Sequence, residues 1–225
     1  MLFKDNWSIL IEANLYRLSI HFIEVHLTRE VNCLLVDQAS RKIQLLVIGS
    51  AADHCKEEAR ELAYEVGAET AKHGAVLITG GLGGVMEAAC KGARDNHGIT
   101  VGIIPQDEMH YANRYCDVVV ATGIGWARDF ATACSADAVV IIAGGAGALI
   151  ETCAAYMKAK PIIAVNGSGG IADQVKDTFL DERRTVKILS ESDPRKAVEK
   201  ALELARQNVK VQSPRTDQST ESPET

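Results

Sequence analysis

From Arg41 onward, short apolar runs alternate with amphipathic runs, and this alternation limits the possible folds more than any other feature of the chain. It is typical of βαβ units, in which parallel strands are joined by helices. The apolar runs contain few polar residues, as expected for strands that helices cover on both faces. The sequence therefore predicts an α/β fold with a doubly wound, mostly parallel Rossmann-like sheet of about seven strands.

The same alternation gives the expected boundaries of the elements. Strands are predicted at residues 43–48, 75–79, 100–104, 118–121, 138–143, 162–165 and 185–189. Helices are predicted at residues 56–72, 85–96, 126–135, 148–158, 171–180 and 193–207. Residues 41–207 are expected to form one Rossmann-like nucleotide-binding domain, because 225 residues leave no room for a second full domain.

The two ends of the chain do not continue this pattern. Residues 1–40 fit the spacing of a strand and that of a helix equally well, so we expect an N-terminal extension of uncertain structure. It is either a loosely attached element or a segment that covers a sheet edge or a partner subunit. Residues 208–225 are rich in Ser, Thr, Gln, Pro and Glu, which predicts a disordered tail.

Composition argues against several classes of partner. The net charge of −6 lacks the basic surplus of a nucleic-acid-binding protein. No run of the sequence approaches the ~18 apolar residues that span a bilayer, so a membrane partner is not expected either. The six cysteines include no CxxC pair, which predicts reduced thiols in a cytoplasmic protein and no metal site.

Two glycine-rich turns are candidates for an anion-binding site. The first glycine turn is Gly80-Gly81-Leu82-Gly83-Gly84, and the second glycine turn is Gly144-Gly145-Ala146-Gly147-Ala148. Each follows a predicted strand and leads into a predicted helix. Backbone N–H groups at a helix start attract anions, and glycine has no Cβ atom to block a phosphate. We expect the two turns to hold one phosphate between them.

The loops of this chain also suggest where a ligand binds. In an open parallel sheet, ligands bind at the carboxyl edge, where the winding direction switches. Residues 49–51, residues 122–125 and both glycine turns are expected at that edge. Neither turn contains the lysine of a P-loop, and Gly49-Ser50-Ala51 is not followed by the later glycines of a dinucleotide fingerprint. Residues 166–170 are interpreted as a flexible connector.

Two charged residues lie beside these loops. Arg128 begins the predicted helix after residues 122–125, where a guanidinium can bind phosphate through two hydrogen bonds. Glu151 lies one turn into the helix after the second glycine turn, where a carboxylate can bind sugar hydroxyls or stabilise charge at a ribosyl carbon. Alternatives remain open: Arg128 can pair with Asp129 or Asp137, and Glu151 can simply complement the helix dipole.

These residues carry a resemblance to a known family. Residues 79–88, Arg128, Asp137-Ala138 and residues 144–151 together resemble the Lonely Guy superfamily of Rossmann-type proteins, and within it the molybdenum-cofactor carrier-like branch. The resemblance covers roughly residues 42–205. It implies a homo-oligomer, commonly a dimer, with the site close to the subunit interface.

Enzymes of this superfamily split nucleoside 5′-monophosphates into free base and ribose 5-phosphate. The resemblance assigns their catalytic arginine to Arg128 and their catalytic glutamate to Glu151. The chain departs at Ala143, Ala148 and Asp129, where those enzymes have proline, threonine and often lysine. Because a phosphate loses a hydroxyl donor and a positive charge through these changes, ligand binding is better supported than turnover.

We therefore expect carrier-like binding of a small phosphorylated ligand, a nucleotide or the molybdenum-cofactor pterin, at the carboxyl edge of the sheet. The alternative is a nucleoside 5′-monophosphate phosphoribohydrolase with Arg128 and Glu151 as catalytic residues. The predicted ligand-binding residues are Gly49, Ser50, Gly80, Gly81, Gly83, Gly84, Met86, Glu87, Gly123, Gly125, Arg128, Gly144, Gly145, Gly147, Ala148 and Glu151.

Overall fold

A computed structural model describes residues 41–211 of the chain. Seven strands in this part form one sheet, in which every strand runs parallel to its neighbours. The strands are β1 (Gln44–Gly49), β2 (Val76–Thr79), β3 (Ile99–Ile104), β4 (Val118–Ala121), β5 (Ala138–Ile142), β6 (Ile162–Val165) and β7 (Leu189–Glu191). The predicted parallel sheet of seven strands is confirmed.

Helices connect the strands in chain order. They are α1 (Glu57–Lys72), α2 (Val85–Asp95), α3 (Arg128–Ser135), α4 (Ala146–Met157), α5 (Gly170–Val175) and α6 (Pro194–Val211). Short 3-10 turns lie at Ala52–His54, Met109–Tyr111 and Gly125–Ala127. No helix in the described range is both long and apolar enough to cross a membrane.

The strand order shows where the winding direction changes. Across the sheet the strands are arranged β4-β3-β2-β1-β5-β6-β7. The chain therefore builds outward from β1 on one side, returns to place β5 on the other side of β1, and continues outward from there. In an open α/β sheet, the crevice at such a switch point is the usual position of a ligand site.

Each face of the sheet has its own hydrophobic core, because successive strand side chains point to opposite faces. On one face, Leu45 and Val47 of β1 pack with α1, α2 and α6. On the other face, Leu46 and Ile48 pack with α3, α4 and α5. All of β5 is buried, as expected for a central strand between two helix layers. This arrangement confirms the doubly wound fold with helices on both faces.

Two predicted elements near the last strand are wrong. The helix predicted at 171–180 ends at Val175, because Lys176 leaves the helical conformation with a ψ of 140° and Asp177 follows with a positive φ of 59°. The strand predicted at 185–189 begins only at Leu189. The segment before it is fixed instead by bonds from the Thr185 backbone N–H to the Tyr156 hydroxyl (3.1 Å) and from the Ile188 N–H to the Thr178 carbonyl (2.9 Å).

The predictions for the chain ends are largely outside the described residues. Residues 1–40 and 212–225 lie beyond the range that the structure describes. Helix α6 continues past its expected end at residue 207 and reaches Val211, so it takes in the first residues of the segment expected to be disordered.

Candidate functional site

The carboxyl edge of the sheet opens into a cleft of about 490 Å³ where β1 meets β5. The loops after β1, β5 and β6, the start of α1 and one tryptophan form its walls. The lining residues are Gly49, Ser50, Ala51, His54, Lys56, Ala59, Trp126, Ala143, Gly144, Gly145, Ala146, Gly147, Ala148, Ser168, Gly169 and Gly170. This volume is typical of small-molecule sites.

The second glycine turn is open toward the cleft. Apart from the adjacent residues and the nearby backbone of α4 itself, no heavy atom of the described residues lies within 4 Å of a Cβ atom placed on Gly145 or on Gly147. Gly147 is also inside α4, where glycine costs about 1 kcal/mol relative to alanine. Packing within the protein therefore gives no reason for glycine at these two positions, whereas the close approach of a ligand does.

Backbone donors at the start of α4 line the same cleft. The first intrahelical bond of α4 runs from the Leu149 N–H to the Gly145 carbonyl (3.1 Å). The N–H groups of Ala146, Gly147 and Ala148 precede it and have no acceptor within the helix. Free N–H groups at the positive end of a helix form a binding site for an anion.

The residue before the second glycine turn has an unusual backbone conformation. Ala143 adopts a φ of 53°, and its N–H donates to the Ser168 hydroxyl at 2.8 Å. Proline, which the related enzymes have here, has no N–H and is fixed near a φ of about −65°. The Ala143 conformation is therefore one that the enzymes' proline cannot adopt.

Ser50 connects the two glycine turns. Its hydroxyl accepts a hydrogen bond from the Gly144 N–H (3.0 Å), and its carbonyl accepts one from the Val85 N–H (3.0 Å). Val85 begins α2, directly after the first glycine turn. The short loop after β1 thus fixes the positions of both turns relative to each other.

The first glycine turn is filled by the protein itself. A Cβ atom on Gly80 would lie 2.5 Å from Nη1 of Arg128, and one on Gly83 would lie 2.9 Å from Cβ of Ala52. Gly84 has a φ of 74°, and a Cβ atom there would overlap the Ser50 carbonyl. This turn contributes no residue to the described lining of the cleft. The described lining of this cleft therefore comes from the second glycine turn and not from the first, and a phosphate held between both turns stays a prediction.

A buried charged cluster lies beside the first glycine turn. Arg128, Asp129 and Glu151 are only 8%, 3% and 7% exposed. Nη1 of Arg128 lies 3.1 Å from Oδ1 of Asp129 and 3.5 Å from Oε1 of Glu151. Of the two open alternatives, Asp129 is the partner, since the Asp137 carboxylate accepts from the Gln44 N–H (2.9 Å). Arg128 is thus held by a neighbour of opposite charge.

Burial changes the protonation of this cluster. It raises the pKa of the Glu151 carboxyl to about 8; the positive charge of Arg128 opposes this rise and the negative charge of Asp129 adds to it. Burial also raises the pKa of Asp129, against the effect of Arg128. Nε of Arg128 and Oε1 of Glu151 have no hydrogen-bond partner among the described residues. One cation between two buried carboxyls favours a proton on Glu151 at neutral pH.

The remaining predicted ligand-binding residues lie outside the cleft. Met86 packs beside Gly80 and Arg128, since its Sδ would lie 2.7 Å from a Cβ atom on Gly80. Glu87 lines a separate groove of about 530 Å³ between α1 and α2. Gly123 and Gly125 are exposed and have positive φ values of 64° and 57°.

Several cleft residues were missed by sequence reasoning. His54 and Lys56 follow β1 at the start of α1, and Trp126 is 81% exposed before α3. A tryptophan directly after the turn glycines Gly123 and Gly125 was the one signal that could have indicated Trp126. Residues 166–170 are also misinterpreted as a flexible connector, because the Ile171 N–H bonds to the Gly144 carbonyl (2.9 Å) and Gly170 packs against it.

One group of possible metal ligands lies outside the cleft. Donor atoms of Glu69 and His73 on α1 and of Glu199 on α6 lie within 4.8 Å of one another. Nε2 of His73 is 3.2 Å from Oε1 of Glu69. Glu199 is brought to His73 only by the packing of α6 against α1, so spacing along the sequence does not indicate this group. These are surface groups whose contacts are ordinary ion pairs.

Related proteins fall into two functional groups. A cytokinin riboside 5′-monophosphate phosphoribohydrolase from Mycobacterium tuberculosis is 35% identical over 129 residues, which are 53% of this chain and 68% of that enzyme. The molybdenum cofactor binding protein from Rippkaea orientalis is 30% identical, with a TM-score of 0.65 over 76% of this chain and 99% of that chain. The molybdenum cofactor carrier protein from Chlamydomonas reinhardtii is 28% identical, with a TM-score of 0.64 over 74% and 99%.

A family model identifies the broader family to which the chain belongs. The model of the SLOG cluster4 family matches residues 42–198, which include the sheet and all of the loops around the cleft. Because this match spans more than half of the chain, the protein belongs to the SLOG cluster4 family, which is part of the Lonely Guy superfamily.

Proposed function

We propose that this protein binds a small phosphorylated ligand in the cleft and acts as a carrier-like binding protein. The ligand is a nucleotide or the phosphorylated pterin of the molybdenum cofactor. The observation that carries the proposal is the open second glycine turn, whose Gly145 and Gly147 face free space beside unpaired N–H groups.

The charges around the cleft support a phosphate at this turn. Three N–H groups at the start of α4 supply the donors, and the helix end supplies partial positive charge. Lys56 also lines the cleft and adds positive charge there. No carboxylate is among the residues that line the described cleft, so an anion meets no repulsion there.

The exposed tryptophan supports an aromatic group on the ligand. The Trp126 side chain is 81% exposed although it lines the cleft. Large aromatic side chains in such a position commonly stack on planar rings, and a stacked base contributes about 1–3 kcal/mol. A ligand that joins a phosphate to a purine or a pterin therefore matches the N–H groups at the start of α4 and the Trp126 ring.

The charged cluster supports binding rather than turnover. Arg128 is engaged by Asp129 at 3.1 Å, and it lies beneath the first glycine turn rather than in the cleft. A guanidinium in this position is not free to clamp the phosphate of a ligand on the second turn. Ala148 further lacks the hydroxyl donor that the related hydrolases have at this position.

A phosphoribohydrolase is the second candidate, and one observation favours it. Glu151 is 7% exposed and has a pKa of about 8, so a small change in its surroundings would switch its charge near neutral pH. Perturbed carboxyls of this kind are frequent in active sites. The 35% identity to a mycobacterial phosphoribohydrolase agrees with this alternative.

Binding measurements with a matched pair of ligands test the proposal. Calorimetric titration is expected to show tighter binding of AMP, GMP or CMP than of the corresponding nucleoside, because the phosphate occupies the second turn. Native mass spectrometry of freshly purified protein is expected to show a bound phosphorylated molecule. Equal affinity for nucleotide and nucleoside, together with an empty protein in the spectrum, would contradict the proposal.

A turnover assay separates the two candidates. Incubation with AMP, GMP or CMP is expected to release little free base, and Glu151→Ala is expected to change affinity rather than rate. Release of base at about 1 per second or faster, abolished in Glu151→Ala, would establish the hydrolase instead.

We also propose that the protein forms a homo-oligomer in the cytoplasm. Phe130 on α3 and Ile150 and Met157 on α4 are 50%, 41% and 50% exposed, and α3 packs against α4. Exposed apolar side chains on adjacent helices commonly mark an interface. Trp126 precedes α3, so this interface would lie near the cleft. Light scattering is expected to show an oligomer that Phe130→Glu dissociates; a wild-type monomer would contradict this.

A further inference from the structure

A pair of thiols lies behind the first glycine turn. Cys90 is on α2, and Cys116 is in the loop before β4. Their Sγ atoms are 3.9 Å apart. Cys90 is completely buried, whereas Cys116 is partly accessible. Cys116 is therefore the more accessible member of the pair.

Hydrogen bonds make Cys90 the more acidic thiol. Oγ1 of Thr79 accepts a hydrogen bond from the Gly81 N–H (3.1 Å), which leaves the hydroxyl hydrogen free to donate to Sγ of Cys90 at 3.3 Å. The contact with Cys116 lowers the pKa of Cys90, and the Thr79 bond adds to this effect against desolvation. The same contact and burial raise the pKa of Cys116. Cys90 is therefore the more acidic of the two thiols and the better resolving nucleophile.

The loop that carries Cys116 holds the first glycine turn in place. Asn113 donates from its backbone N–H to the Gly81 carbonyl (2.8 Å) and from Nδ2 to the Leu82 carbonyl (3.0 Å). The Cys116 N–H in turn donates to the Asn113 carbonyl at 3.2 Å. Cys116 is therefore connected to the first glycine turn through a single residue, Asn113.

We propose that Cys90 and Cys116 are a redox modification site, at which a low-molecular-weight disulfide oxidises the two thiols to an intramolecular disulfide. The bond fastens the loop of residues 113–116 to α2 around the first glycine turn. The two sulfurs move from 3.9 Å to the bonding distance of about 2.05 Å, which requires a small side-chain and loop adjustment. The proposal does not depend on the ligand of the cleft.

The reaction proceeds in two exchanges. Cys116 is the more accessible thiol and reacts first: it loses its proton, its sulfur attacks the small disulfide, the S–S bond of the oxidant breaks, and one small thiol leaves with that proton. Because the raised pKa keeps Cys116 largely protonated, this exchange is the slow step. Sulfur of Cys90 then attacks the Cys116 sulfur of the mixed disulfide, and the second small thiol leaves with the Cys90 proton. Two protein thiols are oxidised, and one small disulfide is reduced to two thiols.

The test uses the full chain in which the four other cysteines, Cys33, Cys55, Cys134 and Cys153, are replaced by serine. Oxidised glutathione is the probe, and peptide mass spectrometry without reduction is the readout. We expect a cross-link between Cys90 and Cys116 with loss of two hydrogens. We also expect a rise in Tm of about 5 °C or more that dithiothreitol reverses. The same chain with Cys116→Ser is the matched control and is expected to show neither effect.

Native wild-type protein is mapped in parallel, so that the result does not depend on the folding of the variant. A Cys90–Cys116 cross-link in the wild-type protein supports the proposal. The absence of this cross-link under native conditions, or a glutathione adduct that persists on Cys116 as the final product, overturns it.

Discussion

The two glycine-rich turns have similar sequences and occupy different environments. In the first, Cβ atoms on Gly80 and Gly84 would overlap Arg128 and the Ser50 carbonyl. In the second, Cβ atoms on Gly145 and Gly147 would meet no atom of the described residues within 4 Å apart from neighbouring residues and the nearby α4 backbone, whereas Gly144 has a φ of 94° and a Cβ atom there would lie 2.6 Å from Cβ of Ala148. Internal packing therefore requires glycine in the first turn, but it gives no reason for glycine at Gly145 and Gly147 in the second.

This difference separates a structural glycine from one that a ligand explains. A glycine required by packing fixes the fold, so its replacement is expected to destabilise the protein. A glycine that faces open space costs stability and is retained where a ligand needs close approach. Equivalent substitutions in the two turns are therefore expected to change the free energy of unfolding in opposite directions.

Gly84→Ala is expected to have the largest effect. Gly84 has a φ of 74°, and the new methyl group would overlap the Ser50 carbonyl. We expect the free energy of unfolding to fall by about 3 kcal/mol or more. Urea denaturation measures this change in the free energy of unfolding. A loss below about 1 kcal/mol would show that the first turn relaxes around the methyl group, and that packing does not require glycine there.

The charged cluster of Arg128, Asp129 and Glu151 predicts that the free energy of unfolding depends on pH. Glu151 has a pKa of about 8 when folded, above its ordinary value of 4.5, so the folded protein holds this proton more tightly than the unfolded chain. The resulting stabilisation is complete below about pH 4.5 and is lost as the pH rises through about 8. We expect a loss on the order of 3 kcal/mol between about pH 5 and pH 8.

Glu151→Gln is the matched control for this dependence, because its amide resembles the protonated carboxyl and does not titrate. Unfolding free energies of both proteins are measured across the same pH range. The difference between them is expected to grow with pH in favour of the glutamine variant. A constant difference would show that Glu151 is ionised throughout and that burial does not control its charge.

Gly147→Ala tests the open turn directly. Alanine in α4 is expected to raise the free energy of unfolding by about 0.5–1 kcal/mol. The methyl group enters the cleft, so affinity for AMP or inorganic phosphate is expected to fall by about tenfold or more, equivalent to about 1.4 kcal/mol. Thermal melts and calorimetry provide the two readouts. Unchanged affinity for a ligand that the wild-type protein binds would show that the ligand does not approach this turn.

Ala143→Gly is expected to have the smallest effect. Ala143 has a φ of 53°, which glycine adopts without steric cost. We expect a gain of about 0.5–1 kcal/mol in the free energy of unfolding, with ligand affinity unchanged. Ala143→Pro is the contrasting variant and is expected to destabilise the protein, because it loses the bond to Ser168. A stable proline variant would show that this turn changes conformation.

The fold was predictable because its signal is local and repeated. Apolar strands that are buried on both faces leave a continuous pattern, and six of the seven strands lie close to their predicted positions. The last strand was misplaced because the N–H groups of Thr185 and Ile188 donate to the Tyr156 hydroxyl and the Thr178 carbonyl, which keeps this segment out of the sheet. Local hydrophobicity carries no information about such contacts.

The candidate site was only partly predictable for the same reason. Glycine patterns indicated both turns, and the pairing of Arg128 with Asp129 was foreseen as an alternative. The pattern alone did not show that Arg128 fills the space over Gly80 or that Trp126 and Lys56 line the cleft. Those relationships are set by how the loops converge in three dimensions.

Amide chemical shifts test the central claim most directly. The ¹⁵N-labelled protein is titrated with AMP and, separately, with inorganic phosphate. The account predicts saturable shifts concentrated on the N–H groups of Ala146, Gly147 and Ala148, with little change at Leu82 and Gly83. Larger shifts in the first glycine turn than in the second, or no saturable shift with either probe, would contradict the assignment of the phosphate to the second turn.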